Sequence, residues 1–122
     1  RIFVAGFSQG GAVALHTGLH AKARLGGILA LSTYLPLADT TRAADIGHSR
    51  DTPIFMAHGL QDPVVPYTLG KQSAAHLRQL GCTVSWHDYA MPHSVCMEEI
   101  RDIGRWLAQQ MEIAKNPEQS PG

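Results

Sequence analysis

Residues 2–15 read IFVAGFSQGGAVAL: an apolar, partly β-branched run stops at Gly6-Phe7-Ser8-Gln9-Gly10, and a helical pattern begins with no linker between them. Ile2 to Ala5 reads as a strand, and Ala12, Leu15 and Leu19, at i, i+3 and i+7, mark the buried stripe of a helix from about Gln9 to Lys22. A strand that turns at once into a helix leaves one corner residue in a strained conformation. Its neighbours two positions before and after are then too close to carry side chains. Those neighbours are Gly6 and Gly10, which makes Ser8 the corner residue. The turn thrusts its hydroxyl above the sheet edge, where the free N–H groups and positive end of the next helix favour negative charge developing on whatever it attacks. Serine is also a favoured helix N-cap, a simpler role that leaves the paired glycines unexplained.

Working outward, three more strands alternate with helices, the pattern of a parallel α/β sheet. Gly26-Gly27 ends the first helix, and the continuous apolar run Ile28 to Ser32 reads as a strand covered on both faces. From Tyr34 to Pro53 the chain is polar and irregular, with a short helical turn expected near Thr41 to Ile46. Ile54 to Ala57 is the third strand, followed at Gly59 by a loop that Pro63 and Pro66 keep irregular until about Tyr67. Leu69 to Leu80 reads as a helix stopped by Gly81, and TVSWHDY as the fourth strand, with Val84 and Trp86 on one face. Ile100, Ile103, Leu107 and Met111 predict an amphipathic last helix with Glu98, Glu99, Arg101 and Arg105 outside. Residues 1–114 are expected to form one portion of a single domain, and 115–122, which lack a large apolar anchor, a mobile tail.

A serine hydroxyl becomes a useful nucleophile only with a base to take its proton and an acceptor to orient that base. The third strand runs into HGLQDPVVP, which places Asp62 just past its C-terminal end, and the fourth runs into YAMPHSV, which places His93 likewise. In a parallel sheet these ends share one edge with Ser8, the usual ligand-binding edge. The chain order Ser8, Asp62, His93 is that of the α/β hydrolases. Taken singly, Asp62 could be a turn residue before Pro63, and His93 a loop residue after Pro92.

The blocks GFSQGGA, ALSTYLP, HGLQDPVVP, MPHSV and EEIRDIGRWLAQQM resemble the phospholipase/carboxylesterase family, the bacterial carboxylesterases and acyl-protein thioesterases, from residue 1 to about Met111. The resemblance implies an α/β-hydrolase fold, a mainly parallel sheet with flanking helices. It also implies cofactor-free serine hydrolysis of short-chain carboxylic esters or thioesters through an acyl-serine intermediate. Ser8 would be the nucleophile, His93 the base and then acid, Asp62 its orienter, and the Gln9 N–H an oxyanion donor. Members of that family carry earlier strands and an HGxG-type loop with a second oxyanion donor, and neither precedes Arg1 here. The chain is therefore expected to be a C-terminal half, with its first strand open to self-association or to a complementary N-terminal segment. The competing expectation is a catalytically silent fragment or interaction module that assembles through that strand.

Bulk properties agree with one soluble globular unit. Among 122 residues, 44% are hydrophobic and 16% charged, enough to bury a core, and ten basic against ten acidic residues leave no electrostatic footprint for nucleic acid or anionic lipid. A small-molecule ester is the expected partner, with no nucleic acid and no membrane. Cys82 and Cys96 stand in no metal or redox spacing and read as reduced thiols, which suits the cytoplasm. His16 and His20 have the i, i+4 spacing of zinc ligands, but Thr17 stands where a metalloprotease helix has its Glu, so no metal is expected. His58 is expected to brace the Asp62 loop by hydrogen bonding, and His48, His76 and His87 to lie on the surface.

Overall fold

The structure, a computed structural model, describes residues 2–21, 25–35 and 51–115, with only the backbone at 113–115. Strands β1 (Phe3–Phe7), β2 (Gly27–Leu31), β3 (Ile54–Gly59) and β4 (Val84–Tyr89) form one sheet in the order β1-β2-β3-β4, each neighbouring pair parallel. Helix α1 (Gln9–Leu19) follows β1, α2 (Tyr67–Gln79) follows β3 and α3 (Met97–Lys115) follows β4. Because every strand runs the same way, the segments after β1, β3 and β4 all leave from one sheet edge. The expected turn at Thr41 to Ile46, the position of His48 and residues 116–122 lie outside the described residues.

Side-chain alternation along the inner strands divides the core in two. Ile28, Ile54, Met56 and Val84 face Leu15, Leu19 and Leu77 of α1 and α2, while Leu29, Phe55, Ala57 and Tyr89 face Trp106 of α3. All six residues of β3 are buried, as an inner strand covered on both faces requires. β1 stands at the end of the strand order, with Ala5 and Phe7 exposed.

The second helix ends as its glycine predicts. Gly81 adopts φ 93°, and the Cys82 and Gly81 amides donate to the Leu77 and Arg78 carbonyls, both at 3.0 Å, the bonding pattern of a Schellman cap. Three expectations need correction. α1 stops at Leu19 rather than continuing toward Lys22, and α3 is still helical at Lys115. α3 is also rotated about its axis relative to the expected face: Ile100 and Met111 are about half exposed, whereas Glu99 is fully buried. The buried side is set by Trp106, whose ring lies 6.1 Å from Phe3 and 5.7 Å from Phe55, and whose large apolar area outweighs the isoleucine stripe. Turning Trp106 inward brings Glu99, seven positions earlier on the same face, in with it.

Candidate active site

At the β1–α1 corner Ser8 has φ 58° and ψ −123°, and its side chain makes no capping bond to α1. The N-cap role thus falls away, and the left-handed backbone is the strained corner anticipated from the sequence. A Cβ on Gly6 would lie 2.0 Å from the Gly10 carbonyl oxygen, a collision between backbone segments that only glycine avoids. Gly10 behaves differently from the expectation. A Cβ there would meet nothing within 4 Å, because it would point away from the approach that Gly6 makes. The second tight glycine is Gly11, where a Cβ would come within 2.7 Å of the Thr33 side chain.

Asp62 lies in the loop after β3 with its carboxyl fully buried. Its Oδ1 accepts the backbone N–H groups of Val64 at 2.8 Å and Val65 at 2.9 Å, and its Oδ2 lies 2.7 Å from His93 Nδ1. Burial works against the carboxylate charge. The hydrogen bond from His93, the two amides and the attraction of the imidazole outweigh it and hold the Asp62 pKa below the ordinary carboxylate value. His58 braces this loop as anticipated: its Nε2 donates to the Val65 carbonyl at 2.8 Å, and it lies 3.5 Å from Asp62 Oδ2.

His93 sits in the loop after β4, its Nε2 3.0 Å from Ser8 Oγ, and its ring centroid is 4.8 Å from that of Phe7 at the end of β1. The two loops interlock. The Leu60 amide donates to the Tyr89 carbonyl at 2.9 Å and the Gln61 amide to the Met91 carbonyl at 3.1 Å, while a Cβ on Gly59 would lie 2.3 Å from the carbonyl oxygens of Met91 and Pro92. Ser8, His93 and Asp62, spread over three loops, form one hydrogen-bonded line from hydroxyl to imidazole to carboxylate. With Nδ1–H committed to the carboxylate, Nε2 is left to accept the serine proton. The first N–H groups of α1 beside Ser8 have no intrahelical acceptor and can meet an oxyanion.

Other histidines differ in part from expectation. His76 is half-buried, with its Nε2 out of solvent and unpartnered among the described residues, and His87 is half-buried against Phe55 at a ring separation of 4.6 Å. His16 and His20 stack on the surface of α1, where a hydrogen bond at 2.8 Å joins His20 Nδ1 to the His16 carbonyl. Two buried groups near the loops gave no sequence signal. Thr33 donates a 2.6 Å hydrogen bond to the Ser8 carbonyl across 25 residues, and Glu99 is enclosed with only the Cys96 amide near its carboxyl group and no well-formed hydrogen bond among the described residues.

The chain matches the Phospholipase/Carboxylesterase family over residues 1–111. It is 43% identical to acyl-protein thioesterase 1 of Neurospora crassa over 125 residues, covering 98% of this chain and 50% of that protein. With acyl-protein thioesterase 1 of Gibberella zeae it shares 44% over 116 residues, 91% of this chain and 48% of that one. Among solved structures, Arabidopsis thaliana SOBER1 superposes with a TM-score of 0.83 at 28% identity, over 89% of this chain and 52% of that one. Zea mays acyl-protein thioesterase 2 superposes at 0.72 and 27%, over 87% and 54%. The chain spans about half the length of the curated relatives it matches. Sequence and fold converge: this chain belongs to the Phospholipase/Carboxylesterase family, with the α/β-hydrolase fold.

Proposed function

We propose that the protein is a serine hydrolase that cleaves carboxylic esters or thioesters of short acyl chains, with Ser8 as nucleophile, His93 as general base and acid, and Asp62 as the residue that orients His93. The observation that carries this reading is the unbroken contact from Ser8 Oγ to His93 Nε2 at 3.0 Å and from His93 Nδ1 to Asp62 Oδ2 at 2.7 Å. Ser8 Oγ attacks the acyl carbon as His93 Nε2 takes its proton, and the Gln9 N–H faces the oxygen that becomes negative. The imidazolium, stabilised by Asp62, then protonates the departing alkoxide or thiolate, leaving an acyl-Ser8. Water, deprotonated by the same imidazole, attacks this ester. Collapse of the second tetrahedral intermediate releases the acid and returns the proton to Ser8.

The acyl-protein thioesterases among its relatives favour thioesters as one substrate class. The reading takes the cytoplasm as the compartment; no described helix is long and apolar enough to cross a membrane. It requires no cofactor. We infer that a complementary segment pairs with the outer edge of β1, an end strand of the described sheet, and supplies the second oxyanion donor and a wall of the acyl site. The exposure of Ile2 (68%) and Val13 (62%) beside this strand and helix favours a second reading, in which the 122-residue chain alone is silent and assembles through β1. Sedimentation of the isolated chain decides between them, since a clean monomer that turns over ester removes the need for assembly.

The test of the main reading is labelling by a fluorophosphonate probe, followed by mapping of the modified residue. The full-length protein is expected to carry the adduct on Ser8 and to lose both adduct and ester hydrolysis in Ser8→Ala. Labelling at another residue, or undiminished turnover in the variant, would overturn it.

A further inference from the structure

Two non-glycine residues among those described have a positive φ, Ser8 at 58° and Ser32 at 51°, and one hydrogen bond connects the turns they make. The ladder between β1 and β2 continues one step past the strands, with the Ser8 amide donating to the Leu31 carbonyl at 2.9 Å. Ser32, fully buried, then turns sharply while its own amide donates to the Ala57 carbonyl of β3 at 2.8 Å. That left-handed turn is costly for a residue with a side chain. It delivers Thr33, 1% exposed, over the start of α1, where its hydroxyl donates to the Ser8 carbonyl at 2.6 Å and its methyl face packs against Gly11. The same carbonyl accepts the Gly11 amide at 3.0 Å and the Ala12 amide at 3.2 Å.

The Ser8 carbonyl and the Gln9 N–H are two ends of one planar trans peptide, pointing in opposite directions. Whatever holds the carbonyl inward therefore holds the N–H outward. Hydrogen bonds accepted at the oxygen also polarise the amide and strengthen its N–H as a donor. We propose that Thr33 is a positioning residue for the oxyanion donor: its hydroxyl locks the Ser8–Gln9 peptide so that the Gln9 N–H faces the negative oxygen of the tetrahedral intermediate. This role rests on the reading of Ser8 as nucleophile and Gln9 as donor. It adds to that reading a reason for a strained Ser32 and a buried threonine 25 residues away.

Three variants of the full-length protein test it. Thr33→Ser keeps the hydroxyl, Thr33→Ala removes it together with the methyl, and Thr33→Val exchanges it for a second methyl. Ala and Val are expected to lower kcat about tenfold with KM near that of the parent, and Ser to stay within about twofold. Affinity for an alkyl boronic acid, whose tetrahedral adduct places an oxygen in the same position, should follow kcat. A serine variant that falls as far as alanine, or an alanine variant with unchanged kcat, overturns the proposal; the Ala and Ser pair decides the matter even if valine disturbs the fold. Because probe labelling of Ser8 is scored in the same samples, failure of the clamp with Ser8 still labelled is distinguishable from failure of the nucleophile assignment.

Discussion

At the β1–α1 corner the serine is held by backbone strain beside a half-exposed terminal strand, whereas Asp62 and His93 sit on loops that hold each other above the fully buried β3. The first region owes its geometry to a turn with φ 58° at Ser8, a glycine that clears it and a threonine that pins it. The second owes its geometry mainly to side-chain and backbone hydrogen bonds within and between the loops after β3 and β4, with one close backbone approach at Gly59. Polar pairing of this kind survives small movements by re-forming its bonds; a steric corner has no such latitude. The hydrogen-bonded triad loops should therefore fail by losing chemistry, and the glycine collision at the corner by losing fold.

The largest effect is expected on the loop side. Asp62→Asn should leave the loop in place, since the amide oxygen can still accept the Val64 and Val65 N–H groups, while its NH2 faces His93 Nδ1 and selects the wrong tautomer. On the proposed mechanism kcat should fall by roughly 10⁴ with little change in KM. The same variant bears on acid stability. The folded-state pKa of Asp62 lies below its unfolded value of about 3.9, so its contribution is present above that value and lost as pH falls through the depressed one. The stability advantage of the wild type over the variant should thus shrink as pH falls below about 4, where the variant's own stability should depend less steeply on pH. Steady-state kinetics and pH titration of the circular dichroism check the two halves; equal kcat values would break the contrast between the regions.

Next in size is a pair at the corner. Gly6→Ala drives a Cβ to 2.0 Å from the Gly10 carbonyl oxygen, and relief requires the strand or the helix to move. The expected cost is several kcal/mol, enough to deplete soluble protein or lower the melting temperature by more than about 10 °C. Gly10→Ala meets nothing within 4 Å, lies inside α1 and exchanges a poor helix former for the best, so its stability should be unchanged or higher by up to about 1 kcal/mol. Thermal melts of both, side by side, test whether the corner is a one-sided collision. Equal losses would mean that the corner confines Gly10 as tightly as Gly6.

What could be read from the sequence follows the same divide. The strand–turn–helix at Ser8 and the loop positions of Asp62 and His93 were legible because local signals carry them: a glycine two residues before the serine, prolines that open loops, and apolar runs that fix strand ends. The parallel sheet followed from the alternation of strands and helices, and the left-handed Gly81 stop from its place after Leu80. The Thr33 hydroxyl was silent, since its partner is a backbone oxygen 25 residues away and a threonine after a strand carries no mark of such a bond. The buried face of α3 departs from the helical periodicity of Ile100, Ile103, Leu107 and Met111 because Trp106, one residue off that stripe, has the larger area to bury.

Glu99 is the consequence of that rotation and the smallest effect expected here. It sits in the first turn of α3, fully buried, with the Cys96 amide nearby and no well-formed hydrogen bond to either carboxyl oxygen among the described residues. Burial raises its pKa to about 7, only partly opposed by the nearby Cys96 amide. Tyr89 close by is held in its neutral phenol form by burial and by the Asp102 carboxylate, to which its hydroxyl donates at 2.6 Å, so that hydroxyl is committed to Asp102. The folded chain therefore binds a proton at Glu99 that the unfolded chain, with an ordinary glutamate near 4.5, releases. In that window, from about pH 4.5 to about 7, stability falls as pH rises; above it the loss is complete and levels off, at most about 3 kcal/mol. Glu99→Gln keeps the shape without the ionisation. Its melting temperature should match the parent near pH 5 and exceed it by several degrees at pH 8. Parallel melting profiles across that range would mean that Glu99 is charged and paired in the folded protein, and the loop side would then owe part of its order to a buried ion after all.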